Sequence, residues 1–217
     1  MHGIFFNPPL ESNYIGHIMA EIYKDGVYSR FFDGKKDLTV VDLGAHVGVF
    51  SYYVSQFSKV VYAVEPAQDS FDTLTRMIGF NKLENKIIPA KVAITNQPGE
   101  VKFYHNQFNN TLRSVMPVIQ GQDKEPKEVV EAITIDKLFK DLKIKKVDFM
   151  KMDIEGSEFE VLGGDGFKKI APQINAMVIE SHDWAGRNHN QIRHSLQLNG
   201  FKVERIPNEA TLWFAIK

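Results

Sequence analysis

The sequence predicts an α/β fold, a mostly parallel sheet with helices on both faces, and three observations carry that prediction. The stretch Thr39 to Ser51, T-V-V-D-L-G-A-H-V-G-V-F-S, reads as a strand, a glycine turn and a helix start. From Leu38 onward, short β-branched runs alternate with segments of helical period. Finally, Asp42, Glu65, Asp153 and Glu180 all fall at or just past the ends of apolar strands. Open α/β sheets gather their ligands there.

The elements follow in order. Residues 1 to 14 are turn-rich and read as an arm, and Asn7-Pro8-Pro9-Leu10 within it is read as irregular chain. Ile15, Ile18, Met19 and Ile22 share one helix face over Ile15 to Lys24. An arm and helix over 1–36 and one domain over 37–217 are therefore expected. After the first strand, a helix is predicted over Val47 to Phe57, then a strand ending at Val64. Asp69 to Phe80 forms a helix with Phe71, Leu74 and Ile78 on one side, and Ile87 to Ile94 is the third strand. Gln97-Pro98-Gly99-Glu100 is a turn, and Val101 to His105 alternates as an added edge strand.

Gln107 to Lys127 is polar and aperiodic, a loop of functional length. Val129 to Ile133 is extended and precedes a capped helix from Thr134-Ile135-Asp136. Val147 to Met152 is a buried strand running into D-I-E-G-S-E, and Phe159 to Ile170 is helical with a Gly163-Gly164 interruption. Ile174 to Ile179 is the fifth strand and Gln191 to Asn199 a helix closed by Gly200. Phe201 to Ile206 and Thr211 to Ile216 form a final hairpin-like pair.

Composition narrows the chemistry. With 217 residues and 43% hydrophobic content, the chain can fill one core. It has no cysteine, which removes disulfides, thiolate catalysis and cysteine-based zinc sites. A formal net charge of −1 supplies no positive field for nucleic acid or an anionic membrane. The N-terminal M-H-G-I-F-F lacks a basic n-region, and no run of about 20 apolar residues occurs. A cytoplasmic protein is the expectation, with a small-molecule acceptor, no membrane partner, and no reading of oligomeric state.

Gly44 and Gly48 stand where the backbone reverses and a ligand can approach closely. The spacing is not the G-x-G-x-x-G of a dinucleotide site, and no phosphate-cradling lysine follows. Asp42 before the turn and Glu65-Pro66 after the second strand suit ribose hydroxyls and a cationic ligand. S-adenosylmethionine has a ribose, an ammonium and a sulfonium, and no phosphate. Asp153 is placed to hold the methionine end of such a cofactor, to orient an acceptor, or to help ligate a divalent cation. Glu155, Glu180 and His182 lie within expected reach of the same crevice, whereas Glu158 reads as a first-turn acid stabilised by its helix.

Several motifs then combine: V-D-L-G-A-H-V-G-V-F-S, V-E-P, A-I-T-I-D-K-L, V-D-F-M-K-M-D-I-E-G-S-E-F-E-V-L-G-G and V-I-E-S-H. Together they resemble the FkbM family of S-adenosylmethionine-dependent methyltransferases, over about Asp37 to His182. The resemblance implies a Rossmann-like class I methyltransferase, a seven-stranded sheet with its last strand antiparallel, and methylation of a hydroxyl on a sugar, polyketide or similar metabolite. It implies cofactor contacts from Asp42, Gly44, Ala45, His46 and Gly48, ribose contacts from Glu65, the adenine edge at Ala93, and Asp153 at the reacting centre. The family usually carries Asn where this chain has His46.

The implied reaction is an in-line displacement in which the acceptor oxygen attacks the sulfonium methyl. Asp153 or His182 is the expected base, with Glu155 and Glu180 nearby as further catalytic candidates. A divalent ion on Asp153, Glu155 or Glu180 is an auxiliary expectation, with no ligand set assigned. The rivals are an oxidoreductase using a nicotinamide, a nucleic-acid methyltransferase, and a non-catalytic cofactor-binding protein.

Overall fold

The computed structural model describes residues 22, 28–105, 113–114, 128–182, 188–206 and 211–217. The arm, the helix expected over Ile15 to Lys24 (save Ile22) and all but residues 113 and 114 of the loop expected over Gln107 to Lys127 lie outside them. The chain forms two compact units, 1–91 and 92–217. Seven of its strands belong to a mostly parallel sheet, as the sequence predicts, and four others form a second, smaller sheet that it does not.

In the first unit, α1 (Ser29–Phe32) leads to β1 (Leu38–Leu43), α2 (Val49–Ser55), β2 (Ser58–Val64), α3 (Gln68–Phe80) and β3 (Ile87–Ala90). The β-branched runs T-V-V and K-V-V pair in parallel, Val40 opposite Val61, and Val61 in turn lies opposite Ile87 of β3. Val40, Val41, Val61 and Ala63 are fully buried, as expected of parallel strands covered on both faces. Helix α3 buries Ser70, Thr73, Leu74, Met77 and Ile78. The buried face is thus centred on Leu74 and Met77, and Phe71 stands at its margin. The aromatic rings of Phe32, Tyr53 and Phe57 pack edge-on or stacked, with Phe32 and Phe57 5.6 Å apart, and Phe50 lies tilted against Phe32.

In the second unit, β4 (Ala93–Thr95), β5 (Gly99–His105), β6 (Arg113–Ser114) and β7 (Glu128–Thr134) form the small sheet in the order β4-β7-β5-β6. The single strand expected over Ile87 to Ile94 is therefore two, β3 and β4. Ala93 to Thr95 pair with Ala132 to Thr134 of β7 instead of continuing β3. The segment expected as an edge strand, Val101 to His105, lies inside this sheet, between β6 and β7. Alternation fixed its extended state, and its place depended on partners far along the chain. Ala93, Phe103, Val130 and Ala132 make the small core beneath it.

Helix α4 (Ile135–Asp141) then leads to β8 (Phe149–Met152), α5 (Glu158–Gly163), α6 (Asp165–Ile170), a 3-10 turn over Ala171–Gln173, β9 (Ala176–Glu180), α7 (His189–Leu198), β10 (Lys202–Arg205) and β11 (Leu212–Ile216). Gly164 is extended (φ −81°, ψ 159°) and separates α5 from α6, the break that Gly163-Gly164 predicts. β8 and β9 are parallel, and β11 runs antiparallel between β9 and β10. The last strand is thus antiparallel and closes the expected hairpin. Among the described residues no helix is long and apolar enough to cross a membrane.

Candidate active site

In the first unit, β1 delivers Asp42 fully buried, with its Oδ2 accepting from Ser51 Oγ–H at 2.6 Å. That bond ties the strand end to the first turns of α2. The backbone between them takes left-handed values at Gly44 (φ 79°), His46 (φ 52°) and Gly48 (φ 92°). The N–H groups of Gly44 and Ala45 both donate to Val64 O, at 3.0 and 2.9 Å. His46 N–H donates to Glu65 Oε2 at 2.8 Å, and Ala67 N–H to Glu65 Oε1 at 2.9 Å.

Glu65 is only 7% exposed and clasps the glycine turn to the end of β2. Pro66 follows half-buried. The turn shows why His can stand at position 46: its left-handed φ is one in which Asn, Asp and His are enriched. Gly48 is explained differently from the expectation of ligand approach. A Cβ there would lie 2.5 Å from Met77 Cε and 2.6 Å from Leu74 Cδ1, so its missing side chain makes room for α3.

In the second unit, Ala93 opens β4, buried and opposite Ala132. The acids collect where β8 ends. All four β8 residues are buried, including Lys151, whose ammonium reaches forward to Asp153 Oδ2 at 2.7 Å. Glu155 (φ 53°) and Gly156 (φ 105°) then turn the chain sharply into α5. Glu158 closes that turn: its two carboxylate oxygens accept from Ile154 N–H at 2.9 Å and Gly156 N–H at 3.0 Å.

Glu158 is fully buried, and its Oε1 also accepts from His182 Nδ1–H at 3.0 Å. It is the first-turn acid of α5 that the sequence suggests, but a buried one. Its own turn and an imidazole from the next strand end enclose it. The other ring nitrogen, His182 Nε2, stands 3.8 Å from Asp153 Oδ1 and 3.7 Å from Glu155 Oε2. Glu180 ends β9 opposite Leu212 and adds its negative charge to the field at Glu155.

These surroundings set the protonation states. Burial pushes the Glu155 carboxyl up to about 8, reinforced by the charges of Asp153, Glu158 and Glu180 and opposed by His182. Burial works against a charged His182, but the hydrogen bond to Glu158 and the charges of Glu155, Glu158 and Asp153 outweigh it and raise the imidazole to about 10. The isolated cluster therefore holds His182 as a cation at neutral pH, a state that cannot accept the proton expected of it.

Sequence reasoning missed three supports. Lys151 signals itself as a charge between two methionines of an apolar strand. Glu158 has no such signal, because its burial depends on the turn. The third is Ser181, 1% exposed, whose Oγ–H donates to Thr211 O at 2.9 Å. Trp213 Nε1–H donates to Ser181 Oγ at 3.2 Å, and His189 Nδ1 stands 2.7 Å from that hydroxyl oxygen. A cavity of about 290 Å³ opens beside the acid turn, between residues 95–101 and Ala132, Gly156, Ser157 and Glu160.

Solved structures place the fold among Rossmann-like methyltransferases. The magnesium protoporphyrin IX methyltransferase of Synechocystis PCC 6803, solved with bound SAM, aligns with a TM-score of 0.57 at 13% identity, covering 99% of this chain and 88% of that one. The methyltransferase FkbM of Methylobacillus flagellatus KT aligns with a TM-score of 0.54 at 16% identity, covering 82% of this chain and 43% of that one. Residues 42–203 match the methyltransferase FkbM domain, and the chain belongs to that family.

Among its relatives, the hexuronic acid methyltransferase AglP of Haloferax volcanii is 24% identical over 152 residues, which cover 69% of this chain and 58% of that protein. Methyltransferase sdnD of Sordaria araneosa is 23% identical and is matched over 82% of its length, with 87% of this chain covered. The chain thus spans under two thirds of the first relative and under half of the FkbM crystal chain.

Proposed function

We propose that this protein transfers a methyl group from S-adenosylmethionine to a hydroxyl oxygen of a small acceptor, a sugar, polyketide-like or similar metabolite, within a domain spanning 37–217. The observation that carries the reading is Glu65, a buried carboxylate at a strand end that fastens the glycine turn through the His46 and Ala67 amides. A carboxylate has about four acceptor positions, so these two bonds are compatible with ribose hydroxyls on the same group. On this reading Asp42, Gly44, Ala45, His46, Gly48, Glu65 and Pro66 build the nucleoside side, with Ala93 toward the adenine, while Asp153 serves the methionine end and the reacting centre.

The cofactor supplies an activated methyl, so the protein's task is to position and to take one proton. The acceptor oxygen forms its bond to the methyl carbon as the carbon–sulfur bond breaks. The sulfonium leaves as neutral S-adenosylhomocysteine. The hydroxyl proton passes to a carboxylate of the cluster, and Asp153, held on one oxygen by Lys151, is the proposed acceptor. Glu155, Glu180 and His182 shape the field around it. The cavity beside the acid turn supports a hydroxyl-rich acceptor through Asn96, Gln97, Ser157 and Glu160.

Calorimetric titration with S-adenosylmethionine and S-adenosylhomocysteine tests the reading. Binding near micromolar, about −8 kcal/mol, that Glu65→Ala weakens is the expected result. A folded protein that binds neither compound overturns it.

A further inference from the structure

We propose that Asp153, Glu155 and His182 form a site for a hard divalent cation of the Mg²⁺ or Mn²⁺ type. One donor atom from each residue lies within 4.8 Å of the other two. The Nε2-to-carboxylate separations, 3.8 and 3.7 Å, are too long for hydrogen bonds. Two ligands about 2.1 Å from a shared ion at roughly a right angle stand about 3 Å apart, so the two His182 separations need to close by less than about 1 Å and the carboxylate pair by less than about 2 Å.

The arrangement behind the imidazole points the same way. A metal-binding histidine characteristically gives its other N–H to a carboxylate, which fixes the ring and aims the free nitrogen. Here Glu158 accepts the hydrogen bond from Nδ1–H at a position with no solvent exposure. The same carboxylate grips the amides of Ile154 and Gly156, on either side of Glu155, so one buried group orients the ring and the ligand turn together.

A further observation is independent of the cluster's acidity. Glu155 Oε2 is a buried oxygen with no hydrogen-bond partner, and it faces His182 Nε2. A lone buried acceptor is costly, and a cation between the two atoms would satisfy it. Two carboxylates and one imidazole, with no thiolate in the chain, suit Mg²⁺ or Mn²⁺ better than a soft metal. The ion's role rests on the methyltransferase reading, under which it would seat the acceptor oxygen.

The test uses the full chain, stripped of metal and without S-adenosylmethionine, titrated with Mn²⁺ and followed by the electron paramagnetic resonance of free Mn²⁺. One ion per chain is expected, with Glu155→Gln weakening binding at least about tenfold and the surface variant Asp141→Asn leaving it unchanged. In the unmutated protein, bound Mn²⁺ should broaden the His182 ring signals in nuclear magnetic resonance. Binding insensitive to Glu155→Gln, unbroadened His182 signals, or no binding at all overturns the proposal. Titration of the same protein with S-adenosylmethionine separates the cases: cofactor binding without Mn²⁺ overturns this site alone, and Mn²⁺ binding without cofactor overturns the transferase reading alone.

Discussion

Glu155 and His182 share an unusual direction of titration. Both hold their protons more tightly when folded, Glu155 at about 8 against 4.5 and His182 at about 10 against 6.5. The folded state then binds more protons than the unfolded one across that range. The His182 contribution is complete below its unfolded value and is lost as pH rises through its folded one, and Glu155 pulls in the same sense from lower pH. In the metal-free protein the urea midpoint should therefore fall between about pH 5 and about pH 9, and His182→Gln should flatten that fall. A midpoint rising over this interval would contradict the assignment.

Two other residues yield sharper single-site expectations. Lys151→Met removes the cation that Asp153 Oδ2 faces and should cost about 1–3 kcal/mol in urea denaturation. Gly48→Ala must hold φ +92° with a Cβ pressed on Met77 and Leu74. It should lower stability by about 1–2 kcal/mol, chiefly from the backbone, since the methionine end can move.

At the scale of elements, what the sequence reveals follows from how local the deciding interaction is. The glycine turn was legible because Asp42, Gly44 and Gly48 encode a strand, a reversal and a helix within ten residues. The break at Gly163-Gly164 was legible for the same reason. The division of Ile87 to Ile94 was not, since Ala93 to Thr95 are claimed by residues 132–134, some forty positions away. Glu158 was legible as a first-turn acid from its helix position, but its burial and its bond to His182 were not, since only the fold supplies His182.

The Ser181 junction belongs to this scale as well, for it joins β9, β11 and the first residue of α7 through one hydroxyl. Ser181→Ala should leave the Trp213 indole N–H without its acceptor and cost about 1–3 kcal/mol. Faster hydrogen exchange at that indole would register the loss directly.

For the molecule as a whole, the alternation of strands and helices was enough to assign the α/β class, and the strand-end acids singled out the ends of β1, β2, β8 and β9 as candidate sites. Neither could reveal the second sheet, which pairs residues 93–95 and 99–103 with residues 128–134 farther along the chain. The near-zero formal charge bears on the nucleic-acid rival at this scale. A small acceptor predicts turnover that changes little with salt, whereas a polyanion predicts a steep logarithmic decline. Methyl transfer assayed across an ionic-strength series distinguishes them.

The Ser181 junction also has an optical meaning. Trp213 is one of two tryptophans in the chain, and its indole is hydrogen-bonded to the residue immediately before His182. In a Trp184→Phe background, Trp213 becomes the sole indole emitter. Any rearrangement transmitted from His182 to Ser181 would then shift its fluorescence, giving a label-free signal for following events at the acid turn in real time.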